Sequence, residues 1–581
     1  MDSVPSPGHL APPLPSPGPS TSSTGDFEHV PVPSPTDSDF EVIMASIDAA
    51  ADKPCTWGDA QASSFAAEWR QAYLDELASL HHHKVWELVP RSSILSGHRI
   101  VKCRPVFKLK RDAAGNPVRF KARLVAKGFT QVPGVDFHET YSPVTRLKSQ
   151  RLALHIGATH DWEMEQLDVK TAFLHGVLEE EVYMEQPPGF AEPGKEDFIC
   201  RLLKGLYGLK QGGRAWNLLF DSIMQELGYK RLDCEWCIYY RTHSSGRSIV
   251  VVHVDDMNVI ADSKAEMARV KSELRSHFDI VELGPVSWLV GLAVARDRVA
   301  RTVTITQTAL VDSVITQFGL QDAHPVSTPL DPNVHLTHAD CPSDDASRAE
   351  MSIIPYRELI GSLMYLAIGS RPDIAHAVQH LSQFNANPGH NHWHGAKHVA
   401  RYLKGTRTHG LVLGGLQPLA LSGFSDASFG GQPGPAGARR SISGFVFTLG
   451  SGAISWSSKR QPVTALSTCE SEYAAAAHAA REALWLCNIL TLLDFPPPGP
   501  VPIACDNQSA IRLTHEQSSH CRSKYFDLDH HFLRDRITLG HISVHYVPTH
   551  EMTADILTKT LTRAPHVKFR SALGLAPPAA R

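Results

Sequence analysis

Two adjacent carboxylates, Asp255 and Asp256, interrupt the apolar run Ile249-Val-Val-Val-His-Val-Asp-Asp-Met-Asn-Val-Ile260, and a third, Asp168, lies about ninety residues upstream in Gln166-Leu-Asp-Val-Lys-Thr-Ala-Phe173. Like charges this close repel, and each costs free energy to desolvate beside buried valines. A divalent cation removes both penalties. Two such ions, roughly 3.5–4 Å apart, stabilise the attacking and leaving oxygens of an in-line phosphoryl displacement. The chemistry these residues support is metal-assisted nucleotidyl transfer.

A second set of acids is dispersed: Asp426, Glu470, Asp506 and Asp555. Each has an ordinary reading. Glu470 completes Ser467-Thr-Cys-Glu470, the spacing of a helix capping box. Asp506-Asn507 suits a turn, and Asp555 suits the first turn of a helix, where the dipole favours an acid.

The elements that must position these groups follow from periodicity. Residues 1–55 are rich in Pro, Ser, Gly and Thr and bury too little apolar surface to offset chain entropy, which predicts a disordered linker. Phe65, Trp69, Tyr73, Leu77 and Leu80 fall at helical intervals. Strands are expected over 100–109 and 118–126, joined by a turn at 112–117. A helix over 215–227 precedes the strand pair around Asp255-Asp256. The polar stretch 331–350 reads as loose and exposed, before helices over 356–368 and 392–403. Beyond Leu419, strands over 420–424, 442–449 and 453–456, a helix over 467–493, strands over 501–505 and 542–547 and a short helix after Thr553 form a second α/β domain. The whole is α+β.

The chain has 581 residues, enough for several cores, with 42% hydrophobic content. A net charge of −4 excludes a generally basic nucleic-acid coat. From Arg99 to Lys127, however, ten Lys or Arg face one acid, which suits phosphate contact along a hairpin, or a solvated charged face. Ten cysteines form no paired array, and Cys234-Glu-Trp-Cys237 has no second half. A reducing compartment, cytosolic or nuclear, is expected. There is no bilayer-length apolar run, so no membrane partner is expected. His81-His82-His83 and the cluster His390, His392 and His394 lack the partners a zinc site needs.

Six motifs in order resemble the copia type of long-terminal-repeat retrotransposon Pol polyprotein: Lys121-Ala-Arg-Leu-Val-Ala-Lys-Gly128, Gln166-Leu-Asp-Val-Lys-Thr-Ala-Phe-Leu174, Leu206-Tyr-Gly-Leu-Lys-Gln211, Val254-Asp-Asp256, Arg371-Pro-Asp-Ile374 and Ala554-Asp-Ile-Leu-Thr-Lys559. The resemblance runs from about Trp57 to about Leu575. It implies a reverse transcriptase with right-hand palm and fingers over 56–325, a helical connection or thumb-like region over 326–417, a ribonuclease H-like α/β domain over 418–562 and a tail over 563–581. The first residues resemble the linker that follows an integrase.

That resemblance implies roles. Asp168, Asp255 and Asp256 would hold two Mg²⁺, with Mn²⁺ as a substitute. Lys121 and Arg123 would meet the incoming triphosphate, Phe173 would exclude a ribose 2′-hydroxyl, and Gln211 would lie behind the templating pair. Leu289, Val290 and Gly291 fall at the primer-grip hairpin. Asp426, Glu470, Asp506 and Asp555 become a second two-Mg²⁺ set that cleaves RNA in RNA–DNA hybrids. RNA template, DNA primer and dNTPs are the implied partners, in a cytoplasmic virus-like particle with access to the nucleus.

The chain departs from the pattern at His253, His175 and Gly213, where the family usually has Tyr or Phe, Asn and Pro. Lys524-Tyr-Phe-Asp527 also replaces a usual Lys-His-Ile-Asp, and His550 falls closer to Asp555 than the histidine of related folds. His253 motivates the competing expectation of a catalytically silent relic that only binds nucleic acid.

Overall fold

The computed structural model describes residues 54–111, 117–430, 439–515 and 527–577. The linker at 1–55, the turn at 112–117, the Lys524-Tyr-Phe-Asp527 segment and the end of the 563–581 stretch fall wholly or largely outside the described residues.

The first acids ride on a six-stranded antiparallel sheet. Its order is Ile280–Pro285, Glu163–Val169, Asp256–Ala261, Gly246–His253, Glu235–His243 and Lys230–Leu232. The run Ile249-Val-Val-Val252 is apolar at every position because both faces are covered. Val250 and Val252 pack with Trp216, Phe220 and Met224 of helix Gly212–Glu226 and with Met267, Val270 and Leu274 of helix Lys264–His277. Ile249 and Val251 face the opposite way, among Leu152, Leu154 and Ile156 of helix Leu147–Thr159. Alternate side chains of a strand point to opposite faces, so one apolar run feeds two cores.

The basic hairpin pairs Cys103–Arg111 with Pro117–Ala126. Phe107, Ala122 and Leu124 turn inward against helix Ala66–His82, where Trp69 packs edge-on to Phe107 at 5.2 Å and Phe120 at 4.7 Å. Lys121 and Arg123 share the other face of their strand. Residues Ile100–Val101, expected to run on into this hairpin, pair instead with Val177–Met184 in a separate four-stranded sheet. The polar stretch over 331–350 is more ordered than its composition implied. It contains helix Asp345–Ser352 and the buried Leu336. His392 explains part of this: its ring is fully buried and stacked on Phe384, Nδ1 accepts from the Gly389 N–H at 2.9 Å, and Nε2 contacts the Thr337 carbonyl at 3.0 Å. This histidine is a satisfied core group with both nitrogens in use.

The C-terminal sheet has the order Ala453–Arg460, Ile442–Leu449, Leu421–Ser428, Val501–Cys505 and Ile542–Tyr546. In chain sequence that is 3-2-1-4-5, the first three antiparallel and the last two parallel to strand 1. Helix Thr468–Leu492 crosses it. This is a ribonuclease H-like topology.

The regions drawn at 325, 417 and 562 are knitted together. One five-stranded sheet combines Trp288–Leu289, Leu292–Asp297, Thr302–Thr306, Gly410–Gly414 and Leu575–Ala576. Residues expected as a tail thus form helix Arg563–Ala572 and a sheet strand, because Phe569, Leu573 and Leu575 have a core to enter.

Arg151, 3% exposed, joins three regions. Its guanidinium donates at 2.8 Å to the carbonyls of Ile368 and Gly369, at the C-terminus of helix Tyr356–Gly369, and at 2.8 Å to Ile454 of the C-terminal sheet. It also lies 3.9 Å over the Trp456 ring, whose Nε1 donates to the Ala367 carbonyl at 2.9 Å. The last carbonyls of a helix lack intrahelical donors and carry negative dipole charge, so a buried cation there is doubly favoured. Arg151→Met strands those acceptors and is expected to destabilise the protein by about 3 kcal/mol or more. Denaturant titration measures the loss, and limited proteolysis should release the C-terminal domain. A wild-type digestion pattern would refute this joint.

Candidate active sites

The first site is built at a hairpin turn. Strands Gly246–His253 and Asp256–Ala261 pair with His253 opposite Asp256, leaving Val254 and Asp255 as a two-residue turn. Val254 holds φ at 59°, a left-handed conformation unfavourable for a β-branched residue, which a stated structural purpose usually maintains. Its carbonyl accepts from Trp216 Nε1 at 2.7 Å, and the Asp255 carbonyl accepts from the Val169 N–H at 3.0 Å. These bonds pin the turn to the end of Glu163–Val169. Asp168 and Asp256 are then directly opposed across the two strands. Directly opposed residues share a face with Cβ atoms about 4.5–5.5 Å apart. Asp168, about ninety residues upstream, thus meets Asp255 and Asp256 at the ends of neighbouring interior strands.

Asp256 registers the crowding. Burial, then Asp255, then Asp168 push its carboxyl up to about 6, against a hydrogen bond from Gln166. The folded protein therefore holds a proton between about pH 4 and 6 that the unfolded chain has released. Stability from this group is present below the ordinary aspartate range and lost as pH rises through 6. Asp256→Asn is expected to remove that slope and raise metal-free stability at pH 7 by about 1–2 kcal/mol, after allowance for partial solvent screening. Denaturant midpoints in EDTA at pH 4.5 and 7 measure it; an unchanged slope would refute the crowding. Oxygen-only donors under mutual repulsion fit Mg²⁺.

Phe173 lies in the 3₁₀ turn Ala172–Leu174, edge-on to Tyr207 at 5.2 Å, and Arg123 sits 4.8 Å over that tyrosine. Burial pushes the Tyr207 hydroxyl up to about 12, with Arg123 opposing and Glu76, Asp255 and Asp168 adding to the rise. Arg123, Tyr207 and Phe173 therefore line a path from the basic hairpin toward the carboxylates. Tyr207 lies within Leu206-Tyr-Gly-Leu-Lys-Gln211, and only the packing of Arg123 and Phe173 around its ring marks it as part of the site. Lys121 lies on the Arg123 face of the same strand. The loop behind them approaches closely: Gly208 has φ of 86°, and a Cβ there would meet the Ala126 carbonyl at 2.2 Å.

Gln211 lies inside this loop. It is 3% exposed, with Oε1 accepting from Gln131 at 3.1 Å and Nε2 donating to the Asp136 carbonyl at 2.8 Å. Its amide braces the loop instead of projecting toward a nucleotide. Leu289, Val290 and Gly291 do form a hairpin, with Leu289 paired to Leu292 and φ positive at both turn residues. The Tyr365 hydroxyl donates to the Val290 carbonyl and holds the tip. His175 packs against Phe278 and Trp216 as a half-buried ring.

In the second site the structure replaces one expected residue. Asp426 is fully buried in its strand, opposite Gly444, and Asp506 follows Val501–Cys505. The glutamate that joins them is Glu472, not Glu470. Asp426, Glu472 and Asp506 offer oxygens that all lie within 4.8 Å of one another. Glu470 is used by the backbone: its carboxylate accepts from the Leu466 N–H at 2.5 Å, and its own N–H donates to Ser467 Oγ at 3.2 Å. The two glutamates are two residues apart on a helix, about 200° around its axis. Glu472 begins the buried stripe Ala476, Ala479, Ala483, Leu486 and Leu490, and that periodicity is the sequence signal that identifies it. Burial, then Asp426 and Asp506, push Glu472 up to about 9, against Lys559 and the Ala427 N–H, which donates to it at 3.1 Å. Asp555, in the 3₁₀ segment Thr553–Leu557, is pushed up to about 6 by burial and Asp426 and is held by Lys559. Thr549 donates to Asp506 at 2.8 Å, while the neighbouring His550 is largely exposed. Beside this site opens a cleft of about 400 Å³ lined by His335, His376, His380, Arg439 and Lys559.

The chain thus carries two acidic centres, one at the strand ends of an antiparallel sheet and one on a sheet of ribonuclease H-like topology. The family described as "Reverse transcriptase (RNA-dependent DNA polymerase)" matches residues 83–332. The retrovirus-related Pol polyprotein from transposon TNT 1-94 of Nicotiana tabacum is 41% identical over 494 residues, covering 85% of this chain and 37% of the relative. That from transposon RE2 of Arabidopsis thaliana is 35% identical over 510 residues, covering 87% and 34%. A putative transposon Ty5-1 protein of Saccharomyces cerevisiae is 31% identical over 317 residues, covering 54% of this chain and 100% of the relative. The chain belongs to the reverse transcriptase family of copia-type retrotransposon Pol polyproteins. It spans about a third of the length of the plant relatives it matches.

Proposed function

We propose that the chain is an RNA-directed DNA polymerase that also hydrolyses the RNA of RNA–DNA hybrids. The observation that carries this is the register placing Asp168 opposite Asp256 at the turn bearing Asp255. Asp168, Asp255 and Asp256 would hold two Mg²⁺, or Mn²⁺ in their place, and the ions would supply neutralisation of charge on the attacking and leaving oxygens of phosphoryl transfer. Lys121 and Arg123 present cationic donors to the triphosphate of an incoming dNTP. Phe173, backed by Tyr207, limits the room for a ribose 2′-hydroxyl. Gln211 fixes the loop behind the template, and the Leu289-Val290-Gly291 hairpin supports the DNA primer.

At the second centre Asp426, Glu472 and Asp506 would hold Mg²⁺, and the cleft bearing Arg439 and Lys559 would receive the hybrid backbone. Such synthesis suits a cytoplasmic particle whose DNA product reaches the nucleus. The test is extension of a DNA primer on an RNA template by the purified chain with dNTPs. Mg²⁺-dependent product, lost in EDTA, is expected. Salt-sensitive hybrid binding with no incorporation in Mg²⁺ or Mn²⁺ would instead make the protein a silent binder.

A further inference from the structure

The motif Arg371-Pro-Asp-Ile374 forms a buried joint around the 3₁₀ turn Pro372–Ile374. Arg371 and Asp373 are each 2% exposed. The guanidinium forks onto both Asp373 oxygens, at 2.9 and 2.8 Å, and also donates to the Thr406 carbonyl at 3.1 Å and hydroxyl at 2.7 Å. Tyr402, from helix His390–Gly405, donates to Asp373 at 2.6 Å. Bidentate pairing inside a buried network holds one geometry.

The joint leads to the second acidic centre. Helix Arg563–Ala572 follows the segment that carries Asp555, and it meets the joint twice. Arg570 donates to the Tyr402 hydroxyl at 3.2 Å, and His566 Nε2 lies 3.4 Å from the Asp373 carbonyl. Asp373, His376 and Ala377 also close against Ile556, Leu561 and His566 around a void of about 20 Å³. The other neighbour of the Asp555 segment is the sheet. At Gly444 a Cβ would meet Thr558 Cγ2 at 2.6 Å and Leu557 Cβ at 2.9 Å. Thr553–Leu557 is 3₁₀, a conformation with poor internal hydrogen bonds, so packing decides where it sits.

We infer that the Arg371–Asp373 pair is a positioning device for the second centre, fixing through helix Arg563–Ala572 the segment that presents Asp555. The catalytic meaning rests on the nuclease reading above; the placement of the segment does not. A displacement of about 1 Å can cost roughly 100-fold in a reaction that depends on orientation, so a remote joint can govern rate without touching substrate.

Hydrogen exchange on the full chain reads the placement, and hybrid cleavage reads its consequence. Tyr402→Phe cuts the link from the joint to Arg570 and keeps the fork. Arg371→Lys keeps the charge and loses the fork, since one ammonium cannot match a carboxylate in the plane. In both, amides over 553–561 are expected to exchange at least about ten-fold faster, while strands Ile442–Leu449 and Val501–Cys505 stay within about two-fold. Cleavage should lose about ten-fold in kcat, with KM for the hybrid and primer extension each within about two-fold. Wild-type protection over 553–561 in the folded variants overturns the proposal, as does full cleavage in Arg371→Lys. A uniform rise in exchange, with both activities falling together, overturns it too, because the pair would then serve stability alone. Should Arg371→Lys not fold, Tyr402→Phe carries the same expectation. Absence of cleavage in the wild type, with the exchange pattern intact, would remove the nuclease reading and leave the joint assigned to the segment.

Discussion

Asp255→Asn is expected to lower primer extension on an RNA template by at least about 1,000-fold, the upper scale for removing one preorganised electrostatic group. The fold should persist. Asparagine is nearly isosteric, and the bond that ties this turn to the next strand uses the Asp255 carbonyl, which the substitution keeps. Relief of repulsion at Asp256 should, if anything, raise the metal-free melting temperature. Hybrid cleavage should be retained, since its acids lie on a different sheet. Single-nucleotide incorporation at saturating dNTP measures the effect. A folded variant that keeps a tenth of wild-type incorporation would falsify the role given to this turn.

Glu472→Gln is expected to abolish hybrid cleavage, whereas Glu470→Gln should leave it within about two-fold. The paired design separates a ligand from a cap. Glutamine serves at the capping position nearly as well as glutamate, so Glu470→Gln should cost under about 1 kcal/mol. Glu472 behaves oppositely. Its raised carboxyl means that folding near neutral pH forces a proton onto a buried acid, and glutamine avoids that cost. Stability in EDTA should rise by about 1–3 kcal/mol at pH 7.5. Polymerisation should be untouched in both variants. If cleavage instead disappears with Glu470 and survives without Glu472, the buried cluster is not the hydrolytic centre.

Much of the scaffold could be read from local pattern. Strands Ile442–Leu449 and Val501–Cys505 match their sequence periodicity end to end, and helix Thr468–Leu492 differs by a residue at each end. The strand bearing Asp426 runs on to Ser428, four residues past its apolar stretch, because it stays paired with Ile442–Gly444 and Asp426 is held by Thr558. The error at Glu470 has a definite cause. Ser467-x-x-Glu470 is a strong local signal: Ser467 does cap the Glu470 N–H, although the Glu470 carboxylate takes the Leu466 N–H instead of that of Ser467, and the pattern says nothing about which glutamate faces the sheet. Gln211 is legible only in part: a motif marks its position, but only the packed loop reveals that Gln131 and the Asp136 carbonyl occupy its amide.

The chain by itself determined the order of the acids, the two-faced apolar strand that carries Asp255 and Asp256, and the alanine stripe that leads back to Glu472. Those are properties of 2- and 3.6-residue periods, which nearby residues dictate. Tertiary structure decided which acids meet. Asp168 reaches Asp256 through strand register, Glu472 reaches Asp426 and Asp506 through the way its helix lies on the sheet, and Lys559 enters because a 3₁₀ segment wraps against Asp426. Charge repulsion and desolvation act through space over a few ångströms, so residues far apart in sequence can set one another's chemistry once the cores have closed.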